Sequence, residues 1–430
     1  MQRDIHVYKF GGASVRDAEA VRNVGRIVQE FGASPAVIVV SAMGKMTNAL
    51  ERLAEAYFER SEQTSGLFEE IRNYHWEVAG ALFPADHEVF TLLNDHFVEI
   101  EWVLEDEPDA NFDYVYDQIV SVGELLATRI VHALLVDQGV NAAWLDARDV
   151  IKTDNTYREA RVNWQSTQQR VDQVIRPMLA EGGFILTQGF IGCTSENFSI
   201  TLGREGSDYS AGILAYCLDA VALTIWKDVP GVLTADPKAF DNVQLIERLT
   251  YREAVEMTYY GAKVIHPKTI KPLQNKQIPL YVRSFVEPGN SGTWIGTDLE
   301  AALPPVIVHD RHQALVHISV KDYSFVAEHH LSELFALFAR CRIKINLMRN
   351  TAISFTVCCS YHADRIAAFK EAIPDNFNVV VDTGLSLYTI RHATPAAIDA
   401  LMEDKVIVLE ERFKDTVQFA VRDLVVARPR

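Results

Sequence analysis

Four short stretches of this 430-residue chain carry residues whose types and spacing suit phosphate chemistry. In "VYKFGGASV", Val7 to Val15, a strand-like run stops at two glycines, with a single lysine just before the break. Ile5, Val7 and Lys9 share one face at strand period 2, so Lys9 places a charge on an otherwise apolar face. Local conflicts of this kind cluster at functional sites. Gly11 and Gly12 let the backbone approach a ligand, and Ser14 is placed to cap the helix suggested by "VRDAEAVRNVGRIVQEF". A lysine, bare amides and a helix N-terminus together suit a polyphosphate. The competing reading is a snorkelling lysine before an ordinary strand-to-helix turn.

The second stretch, "TLGREGSDYSAGILAY" (Thr201 to Tyr216), turns at Gly203 and Gly206 and then opens an apolar helix through Ser207 and Asp208. Arg204 inside that turn suits bidentate clamping of a carboxylate, or is a solvated loop arginine. Asp208 either caps its helix or orients Lys9 and other cations. In the third, "IWKDVPGVLTADPK", a buried strand runs into an Asp-Val-Pro-Gly turn; Asp228 is a nucleotide contact or plain turn chemistry. The fourth, "YYGAKVIHPK", puts Lys263 after a helical segment, to cover phosphate oxygens or to face solvent.

The familiar nucleotide signatures are missing. "MGKMT" approaches a P-loop, but Val39 replaces its first glycine and Met46 its Ser/Thr. There is no H-R-D or D-F-G set and no G-x-G-x-x-G after a strand.

The elements that must hold these stretches read as an α/β sandwich with a mostly parallel sheet. "AVIVVSAM", "NAAWLDA", "FILTQGFIG" and "VALTIWKDVPGV" are apolar nearly throughout, as strands covered on both faces should be, and they alternate with helical patterns. Strand signals vanish over about 50–117, which predicts a helical insertion shaping an acceptor pocket. A Pro/Gly/Asn/Ser-rich turn region places a boundary near residue 300, dividing a 1–300 catalytic domain from a 301–430 tail. The tail reads β-α-β-β-α followed by a shortened echo, a repeated α+β module.

A formal net charge of −17 and a pI near 5.2 exclude a broad basic surface, so nucleic acid and anionic membrane are not expected partners. The N-terminus enters a strand without an apolar leader, no apolar run is long enough to span a bilayer, and cytoplasmic residence follows as the expectation. The five cysteines show no metal-ligand spacing and read as reduced thiols.

"KFGGASV", "SVGELLAT" (Ser121 to Thr128), "GFIGCTSENFSITLGREGSDYSA", "KDVPGVLTADPK" and "YGAKVIHPK" resemble, in order and spacing, the motifs of aspartate kinases within the amino-acid kinase family. The tail resembles the paired ACT modules those kinases carry. The resemblance implies that Lys9, Gly11 and Gly12 hold the β- and γ-phosphates, with Lys9 and Asp208 the catalytic pair. It implies that Ser41 and Thr47 contact the acceptor, Glu124 holds its ammonium and Arg204 its α-carboxylate. Ser207, Asp228, Lys238 and Lys263 would line the nucleotide. Magnesium would ride on the ATP phosphates, with no protein metal set. The chain departs from the family pattern at Ala13, Glu205, Lys227, Leu233 and Lys238; Lys227 and Leu233 fall on the nucleotide loop.

The expected reaction is ATP-dependent phosphorylation of the L-aspartate side-chain carboxylate, which feeds lysine, threonine and methionine synthesis. That nucleophile is already ionised, so catalysis is positioning and charge neutralisation. The alternatives are a kinase of another small amino acid and an inactive ligand-sensing scaffold. A homodimer through the tail, an amino-acid effector and no fused dehydrogenase are further expectations. In lysine-sensitive aspartate kinases, a polar turn ending in Glu after the second strand of the first ACT module receives the effector. Here "INLMRNTAISF" puts Arg349, Asn350 and Thr351 in that turn and Ala352 where the acid would stand, and Ser324 replaces the glycine before Phe325.

Overall fold

The computed structural model describes residues 4–262, 265–297, 303–322 and 324–424, which form two compact units. The first comprises residues 1–232, 245–255 and 264–299, and the second 233–244, 256–263 and 300–430.

The first unit opens with β1 (His6–Phe10), α1 (Ala18–Phe31) and β2 (Ala36–Val40). Five helices follow in succession: α2 (Met46–Phe58), α3 (Thr64–Gly80), α4 (Val89–Glu105), α5 (Phe112–Val120) and α6 (Val122–Asp137). Then come β3 (Ala142–Leu145), α7 (Trp164–Arg170), α8 (Arg176–Ala180), β4 (Phe184–Gln188), the small hairpin β5 (Ile191–Cys193) and β6 (Ser199–Thr201), α9 (Gly206–Leu218) and β7 (Ala222–Lys227). β8 (Arg248–Thr250), α10 (Tyr251–Tyr259), whose residues 256–259 belong to the second unit, α11 (Pro267–Lys276), β9 (Leu280–Ser284) and β10 (Thr293–Gly296) complete the run.

Eight strands form one sheet in the order β3-β4-β2-β1-β7-β9-β10-β8, parallel except where β10 runs against β9. Every residue of β2 is buried, the signature of a strand covered on both faces. On one face Tyr8, Phe10, Ile38, Val40, Leu186 and Trp226 pack against the helices of the α1–α6 layer, with Phe10 and Trp226 stacked 6.0 Å apart. On the other face α9, buried along almost its whole length, lies against β1, β2 and β7. α1 presents Ala20, Val21, Val24, Ile27 and Val28, a helical stripe, to the sheet. Its cap is Asp17, whose Oδ1 accepts from the Ala20 N–H at 2.8 Å, and not Ser14, which is buried in a short 3₁₀ turn over Gly12–Val15. The α5–α6 stretch, Phe112–Asp137, is long and apolar enough to cross a membrane, but it is mostly buried in this core.

The second unit contains β11 (Val306–Val320), α12 (Glu328–Arg340), β12 (Ile345–Asn350), β13 (Ser354–Ser360), α13 (Ala363–Ala372), β14 (Phe377–Arg391), α14 (Pro395–Met402), β15 (Lys405–Phe413) and β16 (Thr416–Asp423). Its antiparallel sheet runs β12-β13-β11-β14-β16-β15. Both β11 and β14 are 15 residues long and run through both halves of this sheet. Gln313–Ser319 pairs with β13, and Val306–Asp310 pairs with the half of β14 that carries β16. The two halves of the sheet are therefore joined along shared strands. Arg349 and Asn350 end β12, and the reversal itself falls at Thr351–Ile353.

Candidate active site

Parallel register brings the strand ends together. Phe10 pairs with Val40 and with Trp226, and Val40 with Gln188, so the segments that follow β1, β2, β4 and β7 leave the sheet along one edge. Ligands bind at such carboxyl edges of open α/β sheets.

Lys9 is buried one residue before the end of β1, on the α9 side. Its Nζ lies 2.6 Å from Oδ1 of Asp208, which sits in the first turn of α9. Burial works to raise the Asp208 carboxyl, but the Lys9 and Lys227 charges outweigh it and hold the group below its ordinary value. Asp208 is therefore an ionised organiser of cations, and its backbone-capping reading falls away.

The glycine turn after Lys9 is there for space. A Cβ on Gly12 would lie 2.8 Å from the Ala42 carbonyl oxygen and 2.9 Å from that of Gly44, so only glycine lets the two loops meet. The Gly44 N–H donates to the Gly12 carbonyl at 2.9 Å, and the Ser41 N–H to that of Phe10 at 3.1 Å. Ser41 and Thr47 are half-buried on this second loop and the first turn of α2. On the α9 side, a Cβ on Gly189 would lie 2.5 Å from the Ser207 Cβ, so Gly189 lets the turn after β4 press against the start of α9.

Glu124 lies in the first turn of α6 and is only 2% exposed. Its Oε2 is buried without a hydrogen-bond partner among the described residues. Burial pushes its carboxyl up to about 8, against the pull of the Ala42 backbone and the Lys9 charge. An uncompensated buried acid is costly, and an arriving ammonium would stabilise it.

Arg204 is exposed at the tip of the Gly203–Gly206 turn and enters no hydrogen bond or ion pair among the described residues. The turn beneath it is anchored by groups that sequence reading missed. Asp117 of α5 is buried; its Oδ1 accepts from Thr201 Oγ1 at 2.6 Å and its Oδ2 from the Arg158 N–H at 2.9 Å. Burial nevertheless pushes its carboxyl up to about 7. Phe190 adopts a left-handed φ of 70°, rare for an aromatic, and is fixed by Ser210 Oγ at its N–H and by the Leu202 N–H at its carbonyl. Nothing in local sequence flags Asp117 or Phe190, because their partners are distant in the chain.

Ser207 is half-buried beside Asp208, and Asp228 is exposed just beyond β7. Lys238 is exposed in the 233–244 segment of the second unit, where its N–H donates to Asp236 Oδ1 at 2.9 Å. Lys263 lies outside the described residues. Lys227, which departs from the family pattern in sequence, places its Nζ 3.7 Å from Oδ2 of Asp208. No group of three or more His, Cys, Asp or Glu among the described residues could hold a metal ion.

A buried lysine paired with an acid at the carboxyl edge of the sheet, under a glycine turn and within electrostatic reach of a second buried acid, Glu124, is an arrangement suited to phosphate chemistry. The family model of the amino acid kinases matches residues 4–284. The chain belongs to the amino acid kinase family. Within that family its similarity is to aspartokinases. It is 33% identical over 357 residues to lysine-sensitive aspartokinase 3 of Escherichia coli, covering 82% of this chain and 77% of that one. The fold matches E. coli aspartokinase III in complex with lysine and aspartate at a TM-score of 0.82, with 27% identity and 98% and 96% of the two chains covered. It matches the same enzyme in complex with aspartate and ADP at 0.80, with 27% identity and 97% and 96% covered. The chain spans 42% of a bifunctional aspartokinase/homoserine dehydrogenase of Arabidopsis thaliana that it also matches.

Proposed function

We propose that this amino acid kinase transfers the γ-phosphoryl group of ATP to the side-chain carboxylate of L-aspartate, giving 4-phospho-L-aspartate. The observation that carries the choice of acceptor is Glu124, a buried carboxyl with an unpartnered Oε2 under the influence of Lys9. A free α-ammonium brings it a compensating charge, whereas an acylated amine brings none. Arg204, exposed and without a hydrogen-bond or ion-pair partner among the described residues, takes the α-carboxylate in a bidentate pair. Ser41 and Thr47 donate to the acceptor.

The acceptor carboxylate is its own nucleophile. Lys9 draws off charge as the phosphoryl group moves, and Gly11, Gly12 and Ser207 offer backbone N–H groups to the phosphates. Asp208 holds the cations and takes no proton. Asp228, Lys238 and Lys263 belong to the nucleotide side of this reading. Magnesium enters as part of the MgATP substrate.

The acidic charge of the chain favours a cytoplasmic enzyme that acts on small molecules and on neither membranes nor nucleic acid. Exposed Met348, Ile353 and Val380 on the second unit support pairing of two copies there, with an amino acid as effector. The reading is tested by measuring aspartate-dependent ADP release from MgATP.

A further inference from the structure

The end of β7 repeats the pattern that marks β1. Leu223, Ile225 and Lys227 alternate onto one face, and register pairs Ile225 with Lys9, so Lys227 closes its strand one alternation beyond Lys9 on the same side of the sheet. Its Nζ is 3.7 Å from Oδ2 of Asp208, while Lys9 occupies Oδ1 at 2.6 Å. One buried carboxylate thus faces two ammonium groups from adjacent parallel strands. The charges decide what this means. Lys9 and Asp208 by themselves sum to zero, and a neutral pair has little electrostatic attraction for a polyphosphate; Lys227 restores a net positive charge at the strand edge. Its side chain is 22% exposed, against 4% for Asp208, so the cluster is open to ligand on the Lys227 side.

We propose that Lys227 is a second phosphate-binding lysine, reaching the β- or γ-phosphate oxygens of a bound nucleoside triphosphate from the β7 side while Asp208 fixes its position. This rests on the nucleotide reading above and assigns Lys227 to the phosphates, away from base and ribose. The competing role is a structural counter-ion that only neutralises Asp208.

Calorimetric titration of the full chain with magnesium and a non-hydrolysable ATP analogue, and separately with AMP, distinguishes the two. Lys227→Met should weaken the analogue at least about tenfold, the scale of one charge-assisted contact, and leave AMP unchanged; Lys227→Arg should restore most of the loss. Equal affinity of variant and wild type for the analogue overturns the proposal, as does an equal loss for both nucleotides. If Lys227→Met does not fold, Lys227→Gln carries the same comparison. No acceptor is present in the titration. A wild-type chain that binds the analogue but leaves aspartate unphosphorylated therefore overturns the reaction alone, and one that binds no analogue overturns both.

Discussion

The Lys9 ammonium and the Asp208 carboxylate meet at 2.6 Å, although one ends β1 and the other opens α9. The pair is nearly buried, with side chains 10% and 4% exposed, and so links stability to catalysis. Breaking a buried ion pair from one side strands a charge and costs several kcal/mol, about 3–5 in full burial, with Lys227 here offsetting part of it. Lys9→Met should therefore lower turnover roughly 10²- to 10³-fold and also lower the melting temperature. The double variant Lys9→Met with Asp208→Asn should regain melting temperature and no activity. A Lys9→Met enzyme with near-normal turnover would remove Lys9 from the phosphates.

Arg204→Ala separates acceptor from nucleotide. Arg204 is exposed and makes no hydrogen bond or ion pair among the described residues, so melting temperature should hold. Aspartate affinity should fall about tenfold or more, from loss of a charge-assisted pair worth roughly 1.5–3 kcal/mol. ATP affinity should stay. Parallel losses for both substrates would place the arginine elsewhere.

Glu124 gives a pH signature. Its carboxyl, normally near 4.5, is raised to about 8 by burial, so between those values the free enzyme holds a proton there that the unfolded chain has lost. Folding stability should therefore fall as pH climbs between those values, and Glu124→Gln should flatten that decline. Aspartate's ammonium needs the ionised acid. Binding should release a proton and tighten as pH rises from 6 toward 8, which calorimetry in buffers of different ionisation enthalpy will show. Binding with no proton release would contradict the assignment.

The pairing of buried charges at the strand edge is partly legible in sequence. A lone lysine before "GG" stands out because an apolar strand face does not otherwise carry charge, and Lys227 at the end of "ALTIWK" obeys the same rule. Ser14 was misread as a cap because a hydroxyl before a helical pattern fits; Asp17, one residue before α1, fits better. Asp117 and Phe190 were invisible, since their roles arise from Thr201, Arg158 and Ser210, which only tertiary packing brings to them. The continuous β14 was also hidden. Period and turn chemistry suggest two modules in succession, while a strand that serves both has no local mark.

Regulation by lysine should be weak. At the β12–β13 reversal the Ala352 carbonyl accepts from the Val326 N–H, and Thr351 Oγ1 lies 2.7 Å from Ser354 Oγ. Ala352 supplies no carboxylate for an effector ammonium. At sub-saturating aspartate, millimolar lysine should inhibit little, and Ala352→Glu should increase sensitivity. Strong inhibition of the wild type below 1 mM, a threshold set at roughly the affinity of about 4 kcal/mol of binding, would sink this prediction.

The most direct measurement is coupled ADP release by the purified chain with MgATP and, in turn, L-aspartate, L-glutamate and N-acetyl-L-glutamate, with trapping of the acyl phosphate by hydroxylamine. The account predicts release and hydroxamate formation with L-aspartate, at least about tenfold less with glutamate, and none with the acylated amine, which brings no charge to Glu124. Turnover of N-acetyl-L-glutamate equal to that of aspartate, or no aspartate-dependent release at all, would contradict it.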